Sequence, residues 1–237
     1  MAFSVFGNPI TDETLKAMTK YIGKKITRCD RAHEALNMIY AESKNVNALQ
    51  RCDRAHEALN MIYAESKNVN ALHFVEILKE QYGNGVSTLC VVYNATGDPI
   101  TFISTHDWHG HLWEAPIPQY LANGQWGAFL HVHPTLGITG SSAAVVYRGK
   151  NDAGEDQDFM LSWMNPYWPG YCKAYTMVRE AGYFTKNRWG QLQDKTNDAE
   201  LQWSDECNGC KSSVSIGNNT TAVYEAKLTL TCAEGTK

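Results

Sequence analysis

The pattern of hydrophobic and polar positions along the chain changes near Gly83. Before Gly83, apolar residues recur every three or four positions, which is typical of amphipathic helices. After it, short apolar and β-branched runs alternate with segments rich in Gly, Pro, Asn and Asp, which is typical of strands and turns. The pattern predicts an α+β protein, with an N-terminal helical segment over residues 1–83 and a β-sandwich domain over residues 84–237.

Two helices are predicted from periodicity and capping signals. Residues 11–20 form a short helix with acidic side chains in its first turn, where they favour the helix dipole. Residues 71–82 form a longer helix, and Gly83 follows where a C-terminal cap is expected. The apolar face of this second helix consists of Ala71, Phe74, Val75, Leu78 and Tyr82.

Between these helices lies a letter-for-letter duplication, in which Arg28–Leu49 recurs as Arg51–Leu72 after the spacer Gln50. Solenoid repeats diverge as each copy adapts to its neighbours, so two identical copies indicate a recent duplication or an artefact, with one copy dispensable. A 23-residue period turns a continuous helix by roughly 140° beyond whole turns. Asn residues at the joint 43–47 predict a break in the helix. We expect two short helices, with the extra copy looped out or laid on the surface.

The remainder of the chain predicts an antiparallel sandwich. Many short strands separated by turns are typical of this architecture, and the helical segment, which cannot bury its apolar faces alone, is expected to pack on it. A helical excursion is predicted at 185–194. The predicted strands cover residues 86–93, 100–105, 127–133, 142–147, 158–163, 173–179, 212–216 and 222–230.

Charge and hydropathy exclude several classes of protein. The net charge of -4 argues against a nucleic-acid partner, because such proteins usually carry a basic face. The sequence has no apolar run of about 18 residues, so we expect no transmembrane segment. The N-terminal residues lack the pattern of a secretory signal, which predicts a cytoplasmic or nuclear location.

Cysteine usage adds one candidate site. In a reducing compartment, most of the seven cysteines, Cys29 and Cys232 included, are expected to be small buried residues. Cys207 and Cys210 form a CxxC motif, which can be a redox pair or half of a zinc site. Because the chain has no second CxxC, we predict a polar loop here, with an incidental disulfide at most.

Four histidines form a second candidate site. Residues two apart on a strand share a face, so a metal site is an alternative for His109, His111, His131 and His133. The HxH pattern resembles part of a cupin metal motif, but the glutamate expected four or five positions further on is absent. We therefore predict structural histidines and no metal or other cofactor.

A cluster of aromatic residues is the sharpest signal of binding. Bulky rings in a loop rich in Pro and Gly often contact a ligand, because exposed apolar patches are costly. The candidate ligand-binding residues are Ser162, Pro166, Tyr167, Trp168, Tyr171 and Tyr175. A position in the core is the alternative for Trp168 and Tyr171, and it is the prediction for Trp126 and Trp163.

Several motifs carry a resemblance to a known family. The segments FGNPITDETLKAM, KEQYGNGVSTLC, VVYNATGDPITF, HDWHGH and NGQWGAFLHVHP resemble the 23 kDa jasmonate-induced proteins of plants, and the likeness extends over nearly the whole chain. Members of that family carry the duplicated helix once. The resemblance implies an intracellular protein of stress responses and plant defence, and it names no reaction.

A second resemblance concerns the fold. The order of strands and turns is similar to that of actinoporins and fungal fruit-body lectins, which implies a sandwich that binds phosphocholine headgroups or sugars. Ser162, Pro166 and Tyr167 match the Ser…Pro-Tyr of the headgroup pocket, although their spacing differs by two residues.

These observations favour a non-enzymatic module whose partner is a glycan or a lipid headgroup. The oligomeric state stays open. No Gly-x-Ser-x-Gly elbow or phosphate loop supports an enzyme, and a metal-dependent enzyme using the histidines is one alternative. A membrane-active, pore-forming-like protein is the other. It would need a helix that detaches, but the stripe of Ala32, Ala35, Leu36 and Ile39 is only weakly apolar, so docking onto the sandwich is expected.

Overall fold

A computed structural model describes residues 4–49, 67–134 and 139–234, and for 41–49 and 67–69 it describes the backbone alone. The chain forms two packed β-sheets with a helical layer, which confirms the α+β sandwich. The helices are α1 (Asp12–Lys16), α2 (Arg28–Leu49), α3 (Lys67–Tyr82) and α4 (Trp189–Asn197), together with 3₁₀ helices at Thr19–Tyr21, Lys186–Arg188 and Thr231–Glu234.

The larger sheet has seven strands in the spatial order β1-β6-β2-β12-β11-β10, with β4 also paired to β6. Its strands are β1 (Val5–Phe6), β2 (Ser87–Ala95), β4 (His111–Trp113), β6 (Trp126–Val132), β10 (Gln202–Cys207), β11 (Cys210–Ile216) and β12 (Thr221–Leu230). One pair departs from the expected antiparallel pattern, because β12 runs parallel to β2.

The smaller sheet has five antiparallel strands in the order β5-β3-β7-β8-β9. Its strands are β3 (Ile100–His109), β5 (Tyr120–Leu121), β7 (Ser141–Lys150), β8 (Asp156–Asn165) and β9 (Lys173–Glu180). Side chains alternate between two faces. One face joins the main core between the sheets, and the other packs under α4 around Met160 and Trp189.

The helical layer belongs to the same apolar cluster as the sandwich. The predicted stripes of α2 and α3 are buried there, including Ala32, Leu36, Val75 and Leu78. The predicted break at 43–47 is wrong, because α2 continues to Leu49. An Asn in the interior of a helix lowers the stability of the helix by no more than about 0.7 kcal/mol relative to Ala, which is too little to end it. The predicted looping out of the extra copy falls mostly on residues 50–66, outside the described residues.

The cysteines differ from their predicted state. Cys29 and Cys232 form a disulfide rather than two buried thiols. Cys207 and Cys210 face each other across the β10–β11 hairpin as free cysteines, so the CxxC motif is a two-residue turn rather than a loop. Asn208 and Gly209 both have positive φ, which suits such a turn. Burial raises the pKa of Cys210 to about 12, which disfavours its reactive thiolate form.

Candidate functional site

The aromatic loop, defined as residues 166–172, connects β8 to β9 at one end of the sandwich. Buried residues anchor it on both sides. Asn165 donates from Nδ2 to the carbonyl oxygen of Ser87 at 3.0 Å, and the Cys172 backbone N–H donates to Asn218 Oδ1 at 3.2 Å. The Cys172 thiol also donates to Asn165 Oδ1 at 3.4 Å. The ends of the loop are therefore held by the sheets, while its middle projects outwards.

Three rings of the aromatic loop are exposed. Tyr167, Trp168 and Tyr171 expose 43%, 69% and 68% of their surface, which excludes the alternative that they belong to the core. The rings of Tyr167 and Trp168 meet edge to face, with centroids 5.7 Å apart. Gly170 lies between Trp168 and Tyr171 and has a φ of 96°, so the turn between these two exposed rings requires glycine.

Clefts flank the aromatic loop on two sides. The first, of about 510 Å³, lies between Tyr167, Trp168 and the segment 83–86 that follows α3. The second, of about 440 Å³, lies beside Tyr171 and includes Lys173, Glu200 and Asn218. Both volumes fall in the range of small-molecule sites, roughly 300–1,000 Å³. The loop thus forms a ridge of rings between two concave surfaces.

Lys79 contributes the positive charge of the first cleft. Its Nζ donates to the carbonyl oxygens of Gly83 and Gly85 at 2.5 and 2.9 Å, which caps the C-terminus of α3. The ammonium also lies 5.2 Å from the ring centroid of Tyr82. Burial lowers the pKa of Lys79, since desolvation disfavours the charged form.

Two predicted site residues lie away from this surface. Ser162 is fully buried, and its Oγ donates to the Tyr175 carbonyl at 3.2 Å and contacts Thr196 Oγ1 of α4 at 2.8 Å. Tyr175 packs against the ring of Trp203, with centroids 5.4 Å apart, and burial raises its pKa. Because α4 and β10 cover these positions, the structure brings together Pro166, Tyr167, Trp168 and Tyr171 and leaves Ser162 and Tyr175 inside.

Other residues of the clefts carry no signal in the sequence. Lys79, Asn84 and Thr220 join the first cleft, while Lys173, Glu200 and Asn218 join the second. Lys173 directly follows the aromatic loop, whereas the others come from segments far apart along the chain, and each lies in an ordinary polar context. The pairing of β12 beside β2 brings Thr220 to the first cleft, while hydrogen bonds from Ala174 to the Glu200 carbonyl and from Cys172 to Asn218 bring the second set to the aromatic loop.

The histidines occupy different environments. His131 is buried, with Nδ1 2.8 Å from Ser141 Oγ and Nε2 3.4 Å from Asp107 Oδ1. His133 packs near Tyr82, and His109 is exposed at the end of β3. Within residues 4–49, 67–134 and 139–234, no three His, Cys, Asp or Glu side chains are placed to hold a metal ion. The metal alternative has no support from this arrangement.

The fold and this site define a class of protein: a helix-covered β-sandwich with a ridge of exposed aromatic rings between two clefts. A family model of Nakanori-like proteins matches residues 38–231, and the chain belongs to that family. The crystal structure of the lipid-binding protein Nakanori superposes with a TM-score of 0.76 at 28% identity, covering 94% of this chain and 98% of Nakanori.

Relatives of known sequence confirm the resemblance to jasmonate-induced proteins. The 23 kDa jasmonate-induced protein of Hordeum vulgare is 38% identical over 224 residues, covering 93% of this chain and 95% of that protein. A jasmonate-induced protein homolog of Atriplex canescens is 31% identical over 80 residues, covering 34% of this chain and 42% of that protein.

Proposed function

We propose that this protein is a stress-responsive module that binds a lipid headgroup at a membrane surface through the aromatic loop. The observation that carries the proposal is the exposure of Tyr167, Trp168 and Tyr171 on one anchored loop. Tyr and Trp have an apolar ring with a polar tip, which suits them to the interface between headgroups and acyl chains.

The comparisons support the two parts of this proposal. The solved relative Nakanori is a lipid-binding protein, and its fold covers nearly all of this chain. The barley relative is a jasmonate-induced protein, which supports a role in a stress response. Among the described helices, none is long and apolar enough to cross a membrane.

The loop is built to bind without large reorganisation. Pro166 and Pro169 restrict the backbone, and Asn165 and Cys172 are tied to neighbouring strands. Rings that are already held in place lose little conformational entropy on binding. Each ring that contacts a quaternary ammonium group could add about 0.5–2 kcal/mol, so two or three contacts suit a micromolar to millimolar site.

Co-sedimentation with phosphatidylcholine vesicles tests the proposal. We expect the parent protein to bind and a double variant, Trp168→Ala with Tyr171→Ala, to lose most of that binding while its melting temperature is unchanged. Tyr120→Ala is the matched control, because Tyr120 is 53% exposed near the opposite end of the sandwich. Equal binding by the double variant and the parent would contradict the proposal.

Release of a trapped dye from the same vesicles separates binding from permeabilisation. Because the apolar stripe of α2 is buried on the sandwich and Cys29 is bonded to Cys232, we expect binding without release. Dye release by the parent protein would favour the membrane-active alternative.

A further inference from the structure

The second cleft, beside Tyr171, is held in shape by main-chain hydrogen bonds. The Ala174 backbone N–H donates to the Glu200 carbonyl at 2.8 Å, and the Ile216 backbone N–H donates to the Leu201 carbonyl at 2.9 Å. Asn218 Oδ1 accepts a hydrogen bond from the backbone N–H of Cys172, so the wall of the cleft that contains Asn218 is bonded to the aromatic loop. The backbone around this cleft is therefore held in place before any ligand arrives.

Several polar side chains of this cleft have no partner within the described part of the chain. The structure records no ion pair or side-chain hydrogen bond there for Lys173, Glu200 or Gln202. Asn218 uses its Oδ1, while its Nδ2 has no recorded acceptor. Lys173 and Glu200 have opposite charges and line one cleft, yet they do not form an ion pair within 4.0 Å.

We propose that this cleft binds the sugar of a glycosylated lipid, and that Tyr171, Lys173, Glu200 and Asn218 contact that sugar. The inference rests on the proposed function and specifies its ligand. A sugar hydroxyl both donates and accepts hydrogen bonds, which matches a cleft with ammonium and amide donors beside carboxylate and amide acceptors. The charges of Lys173 and Glu200 cancel, so a neutral ligand suits the cleft.

The ring of Tyr171 supplies the apolar wall. Its exposed face can pack against the C–H face of a sugar ring while the polar side chains hold the hydroxyl groups. Ligand sites commonly combine aromatic walls with a few polar groups that set orientation, and about 440 Å³ is enough for a small ligand.

The two flanks of the aromatic loop would contact different parts of the lipid layer. Tyr167 and Trp168 lie on the flank of the first cleft, and Tyr171 lies on the flank of the second. A glycosylated lipid presents its sugar just above the membrane plane. Trp168 can therefore contact the interface while the cleft beside Tyr171 takes the sugar of the same lipid layer.

Vesicle co-sedimentation with two compositions tests this inference. One set contains phosphatidylcholine alone, and the other contains phosphatidylcholine with a neutral monohexosyl lipid, monogalactosyl diacylglycerol or glucosylceramide. We expect at least one hexosyl lipid to strengthen binding by about tenfold, as two or three net hydrogen bonds would do. Glu200→Gln should remove most of that increment and leave binding to phosphatidylcholine alone close to that of the parent. Tyr171→Ala should also remove the increment and, because Tyr171 belongs to the aromatic loop, should weaken binding to phosphatidylcholine alone as well.

Glu206→Gln is the matched control, because Glu206 is an exposed acid near the opposite end of β10. It should keep the full increment, and all variants should keep the parent melting temperature. Trp168→Ala should weaken binding to both compositions, because it acts on contact with the interface.

The outcomes separate this inference from the proposed function. Parent binding that is equal for both compositions would overturn the sugar site and leave lipid-headgroup binding standing. Loss of binding to phosphatidylcholine alone in Glu200→Gln would assign the cleft to a zwitterionic headgroup and also overturn it. If the protein binds neither vesicle composition, the proposed function fails. A titration of the protein with soluble methyl hexosides then decides whether the cleft binds sugar. If that titration shows no binding that depends on Tyr171, the sugar site is overturned as well.

Discussion

Cys29 of α2 and Cys232 of the C-terminal 3₁₀ helix are joined by a disulfide across 203 residues of sequence. The same end of α2 is held by Arg31, which donates to Asp12, Asp98 and the Gly97 carbonyl. His33 Nδ1 lies 2.8 Å from the Ala233 carbonyl oxygen, beside the disulfide. These contacts fasten the helical layer to the sandwich at its first turns.

Opening this disulfide should lower stability. A cross-link that closes so long a loop restricts the unfolded chain, and removing one typically costs about 2–5 kcal/mol. We expect dithiothreitol to lower the free energy of unfolding of the parent protein and to leave that of Cys232→Ser unchanged. An equal response of both proteins would show that the disulfide does not stabilise the fold. The cytoplasmic or nuclear location stays a proposal, and such compartments usually keep thiols reduced.

Removal of one copy of the duplication should be nearly neutral. Deleting Gln50–Leu72 or Arg28–Gln50 produces the same polypeptide, because the copies are identical. In the shortened chain, Ala48 is followed by Leu49 and then by His73. Ala48 therefore has the same neighbours in sequence as the buried Ala71 has in the parent. We expect the melting temperature to match or exceed that of the parent, since a shorter connection costs less closure entropy. A large decrease would show that both copies are built into the core.

Two tryptophans five positions apart should differ in their effect on stability. Trp163 is 1% exposed and donates from Nε1 to Ser141 Oγ at 3.1 Å, whereas Trp168 is 69% exposed. Trp163→Ala should cost about 3–5 kcal/mol of unfolding free energy because it leaves a cavity. Trp168→Ala should stay within about 0.5 kcal/mol of the parent. Chemical denaturation measures both, and similar losses would place Trp168 in the core.

Burial of His131 should make the protein less stable in mild acid. Desolvation lowers the pKa of His131 below the ordinary value of 6.5, although Asp107 opposes the shift. Because the unfolded chain binds this proton more readily, the stability is fully present above about pH 7 and declines as the pH falls through about 6.5 and below. Unfolding free energies measured across this range should show a smaller slope for His131→Gln than for the parent. If His131→Gln leaves the slope unchanged, His131 is not the cause of the loss of stability in acid.

Much of the fold followed from local pattern. The apolar face at 71–82 became α3, and the eight predicted strand segments all became strands. The predicted excursion at 185–194 became a 3₁₀ turn followed by α4, which ends at Asn197. The pattern succeeded here because each element buries one face against a core, and that burial selects the spacing of apolar residues.

Strands without a strong apolar pattern were not predicted from the sequence. The strand β10 is a mostly polar edge strand, and β1 and β5 are only two residues long. An edge strand gains its order from hydrogen bonds to a neighbour that is distant in sequence, as β10 does from β11. The parallel pairing of β12 with β2 depends on the same long-range contacts.

Local sequence pattern was enough to predict the α+β class, the family resemblance and the aromatic loop as a candidate ligand site. Which of those aromatic residues face solvent depends on long-range packing. Ser162 and Tyr175 were candidates with Tyr167, Trp168 and Tyr171, yet α4 and β10 cover the first two and leave the other three exposed. The partners of Tyr171 in its cleft and the bond between Cys29 and Cys232 also depend on that packing. Local sequence sets the period of an element, whereas burial of a given side chain depends on which distant elements pack over it.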